Sequence, residues 1–481
     1  MHIPVLAIAN LRYFDYDLFV NLFMNRFKVQ ANHALTVRAL LASGPLTARQ
    51  LAENSSISQA TLSRVIQTLG NQIIRFGPYR SIHYALRRPL LAMLDVPIYR
   101  VTPEGQVEAL GQLSPVQPTG YVMTNAEGSA SHSEGFPWWL DDMRPQGFLG
   151  RAFVAAQAES LGLPPRLGDW QEEHILRALL SQPGNDAVGN LILGDAGREH
   201  FIQRPEPVAV PAASLATAYA ERARQALSGE APASSAGGEQ PKFGAYAETA
   251  NGPRHVLVKF SLDVEAGADN PIAQRWRDLL LAEHHALTLL RENGIAAVAT
   301  RILDHGPQRF LEVERFDRIG PHGRRGLISL SAMDAEFIGL GRGGWPAITA
   351  RLLAERHITS QAHEAACLLH AFGTLIGNTD MHPGNLSFVT DSGRPYQLAP
   401  AYDMLPMVFA PRSSGELPAT LPAVGFDSQI STALWHKALL LALAYLGGLN
   451  NEPGFSVGFG ECLSALGRHL QMAGERIGRL G

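Results

Sequence analysis

Apolar and polar positions alternate with helical spacing at the start of the readable pattern. Leu35, Val37, Leu40 and Leu41 predict a helix over Asn32–Ser43 that stops at Gly44-Pro45. Thr47 caps a short helix, Ala48–Glu53, with Leu46 and Leu51 facing inward. Asn54-Ser55-Ser56-Ile57 reads as a tight turn, and Ser58 caps a third helix to Leu69 with Leu62, Val65 and Ile66 as its apolar stripe. Gln72–Phe76 and Ser81–Leu86 then switch to strand spacing around Gly77-Pro78. Helix, helix, turn, helix and hairpin is the order of a winged helix-turn-helix.

The middle of the chain is less regular. Pro115–Pro137, rich in Gly, Ser, Thr and Pro, reads as mostly loop. Trp138–Phe153, Glu172–Leu180 and Ala213–Leu227 read as helices. From Ser234 a Gly-rich loop leads to a strand, His255–Ser261, a long helix, Gln274–Asn293, and a second strand, Arg309–Phe316. An apolar helix, Gln361–Gly377, precedes GNTDMHPGNLSFV, and helices over Leu434–Leu449 and Gly458–Leu480 close the chain.

Charge sharpens this division. The 481 residues carry a formal −4, but the first hundred hold eleven Lys or Arg against four Asp or Glu. That is +7 on the front module and −11 on the remainder, which excludes only a chain that coats nucleic acid along its whole length. Two cysteines, Cys367 and Cys462, exclude a disulfide scaffold and suit a reducing compartment. The start lacks a basic n-region, and the longest apolar run, Ala438–Leu446, falls short of the ~20 residues of a membrane helix. The expected location is the cytoplasm, with no membrane partner.

Four segments carry candidate chemistry. In Gly377–Phe388, Asp380 and Asn385 are five residues apart with His382 between them. In a phosphoryl-transfer loop an Asp orients the attacking hydroxyl and an Asn five positions on reaches Mg²⁺; a polar turn between a helix and a strand favours the same residue types. Asp403, in Ala401-Tyr402-Asp403, is either a second Mg²⁺ ligand or a turn residue. Lys259, late in its strand, with Glu283 on the long helix, is either a phosphate-binding pair or two solvated side chains. The loop 234–242, with Ser235, Gly237, Gly238, Gln240 and Lys242, would cradle phosphates through its N–H groups, although it has neither GxGxxG nor a Walker pattern. Gly-rich loop, strand Lys, helix Glu, hinge-like strand, D-x-x-x-x-N loop and Asp follow the order of a protein-kinase catalytic core.

These residues resemble the HipA family of bacterial Ser/Thr kinases, the toxin halves of toxin–antitoxin systems. The resemblance runs through Gly238-Glu239-Gln240-Pro241-Lys242, Val258-Lys259-Phe260, Val313–Arg318 (VERFDR), Gly377–His382 with Asn385, and Leu398–Asp403. Upstream, Asp141–Gly147 and Gly184–Gly189 look like the family's N-terminal subdomain. The resemblance implies ATP and Mg²⁺ as cofactors and Asp380 as catalytic base. It places Asn385 and Asp403 on Mg²⁺, Lys259 on the nucleotide phosphates, and backbone groups of Glu314 and Phe316 on adenine. Ser235 matches the autophosphorylation position. It also implies a protein substrate, in some members a translation protein, and an antitoxin or homodimer partner. The family loop usually reads D-x-H-x-K-N, and here Gly384 stands in place of the Lys.

The front module is expected to read DNA, with Ser58, Gln59, Thr61, Ser63, Arg64 and Gln67 outward on the third helix and Arg75, Arg80, Arg87 and Arg88 on phosphates. A winged helix used for protein contact has the same pattern. The expected fold is α+β: a winged helix-turn-helix at 1–100, the N-terminal subdomain and kinase N-lobe at 101–320, and a mainly helical C-lobe at 321–481. A Ser/Thr kinase toxin that regulates its own operon is the leading expectation. A nucleotide-sensing transcription regulator with little catalysis is the alternative, and a small-molecule phosphotransferase the third.

Overall fold

The computed structural model describes residues 31–78, 81–91, 93–181, 186–228, 240–262, 270–341 and 344–479. Ser235, Gly237, Gly238 and Arg80 lie outside them. The fold is mixed α+β. By its contacts the chain divides into two compact units, one running to Val96 and taking in Gly111–Gly135, the other holding Pro97–Leu110 and everything from Phe136 onward.

In the first unit, residues 31–42 are helical, followed by helices Ala48–Ser55 and Gln59–Leu69. Thr47 and Gln50 form a reciprocal capping box, which satisfies two otherwise open N–H groups of the first turn. Ser58 caps the third helix through the Thr61 N–H. Strand His83–Leu86 is central in a small antiparallel sheet, between Leu46–Thr47 and Ile73–Phe76. Val37, Leu41, Leu51, Leu62, Val65, Leu69, Ile73 and Leu86 close one core, each large apolar side chain adding roughly 1.5–3 kcal/mol by burial.

The stretch expected to be mostly loop is instead largely a hairpin. Tyr121–Asn125 pairs with Gly111–Pro115 on one side and with Ala130–Ser133 on the other. Gly120, Gly128 and Ser129 fall in the two connections, while Tyr121-Val122-Met123 supplies strand formers between them, and Ser131 and Ser133 sit within the last strand. This hairpin continues the first unit: Gly77 N–H donates to the Ala130 carbonyl at 3.3 Å, and Phe76 stacks on His132 at 4.7 Å.

The second unit centres on a four-stranded antiparallel sheet, in the order Thr300–His305, Gln308–Glu314, Gly252–Phe260, Lys242–Thr249. Side chains alternate across it. Phe310 joins Phe243, Val258 and Phe260 under Tyr219 of helix Leu215–Ser228. Leu311 and Val313 face the opposite side, against Leu279, Leu280 and Leu287 of helix Pro271–Glu292. The helices Trp345–Ala354, Ser360–Ile376, Thr432–Asn451 and Gly460–Ile477 complete that larger core.

The helix expected over Trp138–Phe153 is broken. A 3₁₀ turn, Trp138–Met143, ends before Pro145, and an α-helix restarts at Gly147. Proline disfavours helical geometry in the residue before it and cannot donate to the preceding turn. Helix Thr432–Asn451 is long and apolar enough to cross a membrane by length and composition. Trp435, Ala438, Leu441, Ala442, Tyr445 and Leu449 bury one of its faces in the core, which is how a core helix passes the same test.

Candidate functional site

The strand Gly252–Phe260 and the helix Pro271–Glu292 bring Lys259 and Glu283 together inside the second unit. Lys259 Nζ donates to Glu283 Oε1 at 2.6 Å and also to Asp403 Oδ1. Both Lys259 and Glu283 are buried, so the reading of two solvated side chains does not hold. A buried ammonium is tolerable only with such partners. Burial alone would lower the Lys259 pKa, and Asp403 and Glu283 reverse that and raise it. Burial pushes the Asp403 carboxyl up, but Lys259 and Lys242 override it and hold the group below its ordinary value. Glu283 is raised by burial and by Asp403 against the opposing pull of Lys259, and its Oε2 is buried with no hydrogen-bond partner among the described residues.

Lys242, at the start of its strand, is buried and close enough for its charge to act on Asp403, Glu283 and Asp380. Gln240 Nε2 is buried without a hydrogen-bond partner among the described residues. Two lysines and an anionic aspartate therefore converge at one place.

The loop from Gly377 to Asn385 is fixed by its own backbone. Helix Ser360–Ile376 ends on Gly377 in the left-handed region at φ +80, where a Cβ would lie 2.8 Å from Leu421 and Val408 side-chain atoms. Asn378, buried, turns the chain: its Oδ1 accepts the Asp380 N–H at 3.1 Å and its Nδ2 donates to the Asp403 carbonyl at 3.2 Å. Asn385 Nδ2 donates to the Asp380 carbonyl at 2.8 Å. The Asp380 side chain reaches solvent. Partial burial pushes its pKa up, Asp403 adds to the rise, and His382 and the lysines oppose it.

Tyr402 and Asp142 are absent from the sequence reading of the site. The Tyr402 hydroxyl bonds Ser387 Oγ at 2.7 Å and donates to the Gly384 carbonyl at 3.1 Å, and its ring stacks on Phe316 at 5.8 Å. Asp142 accepts the Ser329 N–H at 2.6 Å; Ser329 pairs with Ser387 across two strands. Burial pushes the Asp142 carboxyl up to about 6, with Asp141 adding and the Ser329 hydrogen bonds opposing.

At the hinge position, Glu314 donates its N–H to the Ala299 carbonyl at 2.9 Å, so that N–H is already engaged. Phe316 is half-buried beside Tyr402. Between and beyond them, Arg315 and Arg318 both bind Asp186 and Asp317. The motif VERFDR thus owes its Arg and Asp residues to a buried ion network that ties the hinge to the segment around Asp186.

In the first unit, Gln59, Ser63, Arg64, Gln67 and Arg75 are exposed. Ser58 and Thr61 are engaged in the cap, their hydroxyls 3.0 Å apart. Arg87 departs from its expected phosphate role. Its Nε lies 3.2 Å from Asp95 and its Nη1 donates to the Asn71 carbonyl at 2.8 Å, so it is a structural ion pair.

Comparison with known proteins follows these lines. The family described as "YjjJ-like toxin, middle domain" matches residues 93–202, and "HipA-like C-terminal domain" matches residues 234–442. The chain is 39% identical over 444 residues to Toxin YjjJ of Escherichia coli (strain K12), covering 92% of this chain and 98% of that protein. The chain belongs to the YjjJ-like toxins of the HipA family. The catalytic-type loop at Asp380 and the Lys259–Glu283–Asp403 cluster both fall inside the HipA-like C-terminal domain. Among solved structures, a Shewanella oneidensis MR-1 toxin–antitoxin complex of HipA, HipB and operator DNA is 15% identical at a TM-score of 0.46, covering 79% of this chain and 97% of that one. The Helicobacter pylori proinflammatory kinase CtkA is also 15% identical, at a TM-score of 0.36, covering 51% and 93%. Likenesses that loose carry no weight for function.

Proposed function

We propose that the protein is an ATP- and Mg²⁺-dependent Ser/Thr protein kinase that acts as a toxin. The observation that carries this reading is the convergence of Lys259, Glu283 and Asp403 within one buried ion cluster beside the Asp380–Asn385 loop. The fit to a nucleotide rests on residues present. Lys242 and Lys259 offer positive charge, Gln240 Nε2 offers a donor without a partner, and the charge balance keeps Asp403 anionic. Mg²⁺ needs only one or two protein ligands beside phosphate oxygens and water; Asp403 and Asn385 are the two we assign. Bound Mg-ATP would supply the transferable phosphoryl group and charge neutralisation.

The protein's own part is positioning. Lys259, held by Glu283, would bind phosphate oxygens. Asp380, with its carboxyl pKa raised, would accept the proton of a substrate hydroxyl as it attacks. His382 would stand near the moving charge; the Lys that the family loop usually adds two positions later is Gly384 here. The Glu314 carbonyl and the Phe316 backbone would meet adenine. We assign Ser235 as the autophosphorylated residue.

We further propose that residues 1–100 form a winged helix-turn-helix that binds DNA and regulates the protein's own operon. The support is the +7 charge and the exposed Gln59, Ser63, Arg64, Gln67 and Arg75. Residues 101–320 would hold the family's N-terminal subdomain and the kinase N-lobe, and 321–481 the C-lobe. The protein would work in the cytoplasm on a protein substrate, with an antitoxin or a second copy of itself as partner. Brief induction of the wild type and of Asp380→Ala, followed by phosphoproteomics and growth measurement, tests the reading. Growth arrest and new phosphoserine or phosphothreonine sites should appear with the wild type alone; identical profiles would refute it.

A further inference from the structure

Arg324, on the short strand Gly323–Arg324, is buried at 4% exposure. Its guanidinium stands over the Phe201 ring at 5.0 Å, and no carboxylate or hydrogen-bond acceptor pairs with it among the described residues. The nearby carboxylates are already shared: Asp186 and Asp317 are each held by Arg315 and Arg318. Burial pushes the Arg324 pKa down, and Arg318, Arg204 and Arg315 add to the fall while Asp186 opposes it. A guanidinium does not give up its proton in a protein, so the cost stays as buried charge that only Asp186, already shared by two other arginines, offsets.

Arg324 borders a cavity of about 30 Å³ whose walls include Leu179, Ala187, Ile192 and Phe201, with Arg204 also on its lining. On the same scale one water needs roughly 10–15 Å³. The space therefore suits a group of a few heavy atoms. The lining mixes apolar side chains with the two arginines, and a planar fork of N–H groups matches a carboxylate or phosphate edge.

We propose that this cavity is a binding site for a small oxyanion, a carboxylate or phosphate group paired with Arg324. The site is separate from the Lys259–Asp403 cluster and does not depend on the kinase reading. Arg324 pairs with Arg318 across two short strands, so the anion would neutralise the same arginine-rich network that holds the hinge.

The test uses the full chain, with acetate and inorganic phosphate as probes and chloride at matched ionic strength as control. Calorimetry and thermal unfolding should show saturable binding of at least one oxyanion and a rise in Tm, with acetate and phosphate distinguishing the two sources. Arg324→Met should weaken binding at least about tenfold, and Ala187→Leu, which fills the cavity and keeps Arg324, should do the same. The double variant Lys259→Met/Glu283→Gln, in which no buried charge is left unpaired at that position, should leave it intact, which separates this site from phosphate at the nucleotide cluster. Absence of saturable binding to the wild type would overturn the proposal, as would binding lost only in that folded double variant. If Arg324→Met does not fold, Ala187→Leu decides: unchanged binding in that variant overturns the proposal.

Discussion

His382 Nδ1 accepts the Gly384 N–H at 3.0 Å, and a Cβ at position 384 would lie 2.8 Å from His382 Cε1. The imidazole therefore occupies room that a side chain at 384 would need. Gly384, where the family loop usually carries a Lys, leaves the room into which His382 folds back over its own loop. Gly384→Lys should then lower phosphotransfer, by about five- to tenfold through displacement of the loop, rather than restore it. A rate above wild type in single-turnover labelling would show that a cation is simply missing.

The Lys259 ammonium and the Glu283 carboxylate are both buried. Lys259→Met leaves Glu283 unpaired and should cost about 3–5 kcal/mol of stability in urea unfolding, besides abolishing labelling. Adding Glu283→Gln should recover much of the stability and none of the activity. Recovery of both would remove Lys259 from the chemistry.

Asp317 accepts from Arg315, Arg318 and the Gly189 N–H. Its loss leaves Arg315 and Arg318, whose side chains are largely buried, short of a partner: Asp317→Ala is expected to destabilise the fold by about 3–5 kcal/mol. A change under 1 kcal/mol in equilibrium unfolding would mean that Asp186 alone balances both arginines.

The Asp142 carboxyl, pushed up to about 6, is an acid that the fold prefers protonated. Its contribution is complete below the ordinary carboxyl value near 4 and is lost as pH rises through 6. Unfolding free energy should gain on the order of 1–2 kcal/mol from this residue between pH 7 and pH 4.5, discounted for its remaining exposure. Asp142→Asn should remove that gain, measured as the difference between the two stability–pH curves.

In the first unit, Arg64 is exposed and Arg87 is tied to Asp95. Arg64→Ala should weaken DNA binding by the full chain and reduce its salt slope by about one. Arg87→Ala should lower stability and leave the slope unchanged. The reverse pattern would place the DNA contact on the wing.

Much of this was legible along the chain because it is local. Thr47 and Ser58 announce helix starts through hydrogen bonds only a few residues long, and the Asp380–Asn385 spacing is carried by one loop. Lys259 and Glu283 were readable as a pair by their places on a strand and a helix. What escaped depends on distant neighbours. Asp142 meets Ser329 from 187 residues away, and Tyr402 reaches the loop only because two strands fold beside it. Arg87 looked like a phosphate contact because a count of charges cannot show that Asp95 folds back against it. The hairpin at Tyr121–Ser133 was hidden by turn residues that outnumber its short strands.

The central claim is phosphoryl transfer by the Asp380 loop. The most direct measurement is transfer of label from γ-labelled ATP, with Mg²⁺, to the purified protein and to lysate proteins, by wild type and Asp380→Asn at equal folded concentration. The account predicts labelling by the wild type and at least about a hundredfold less by the variant. Equal labelling by the two, or none by the wild type with nucleotide bound, would contradict it.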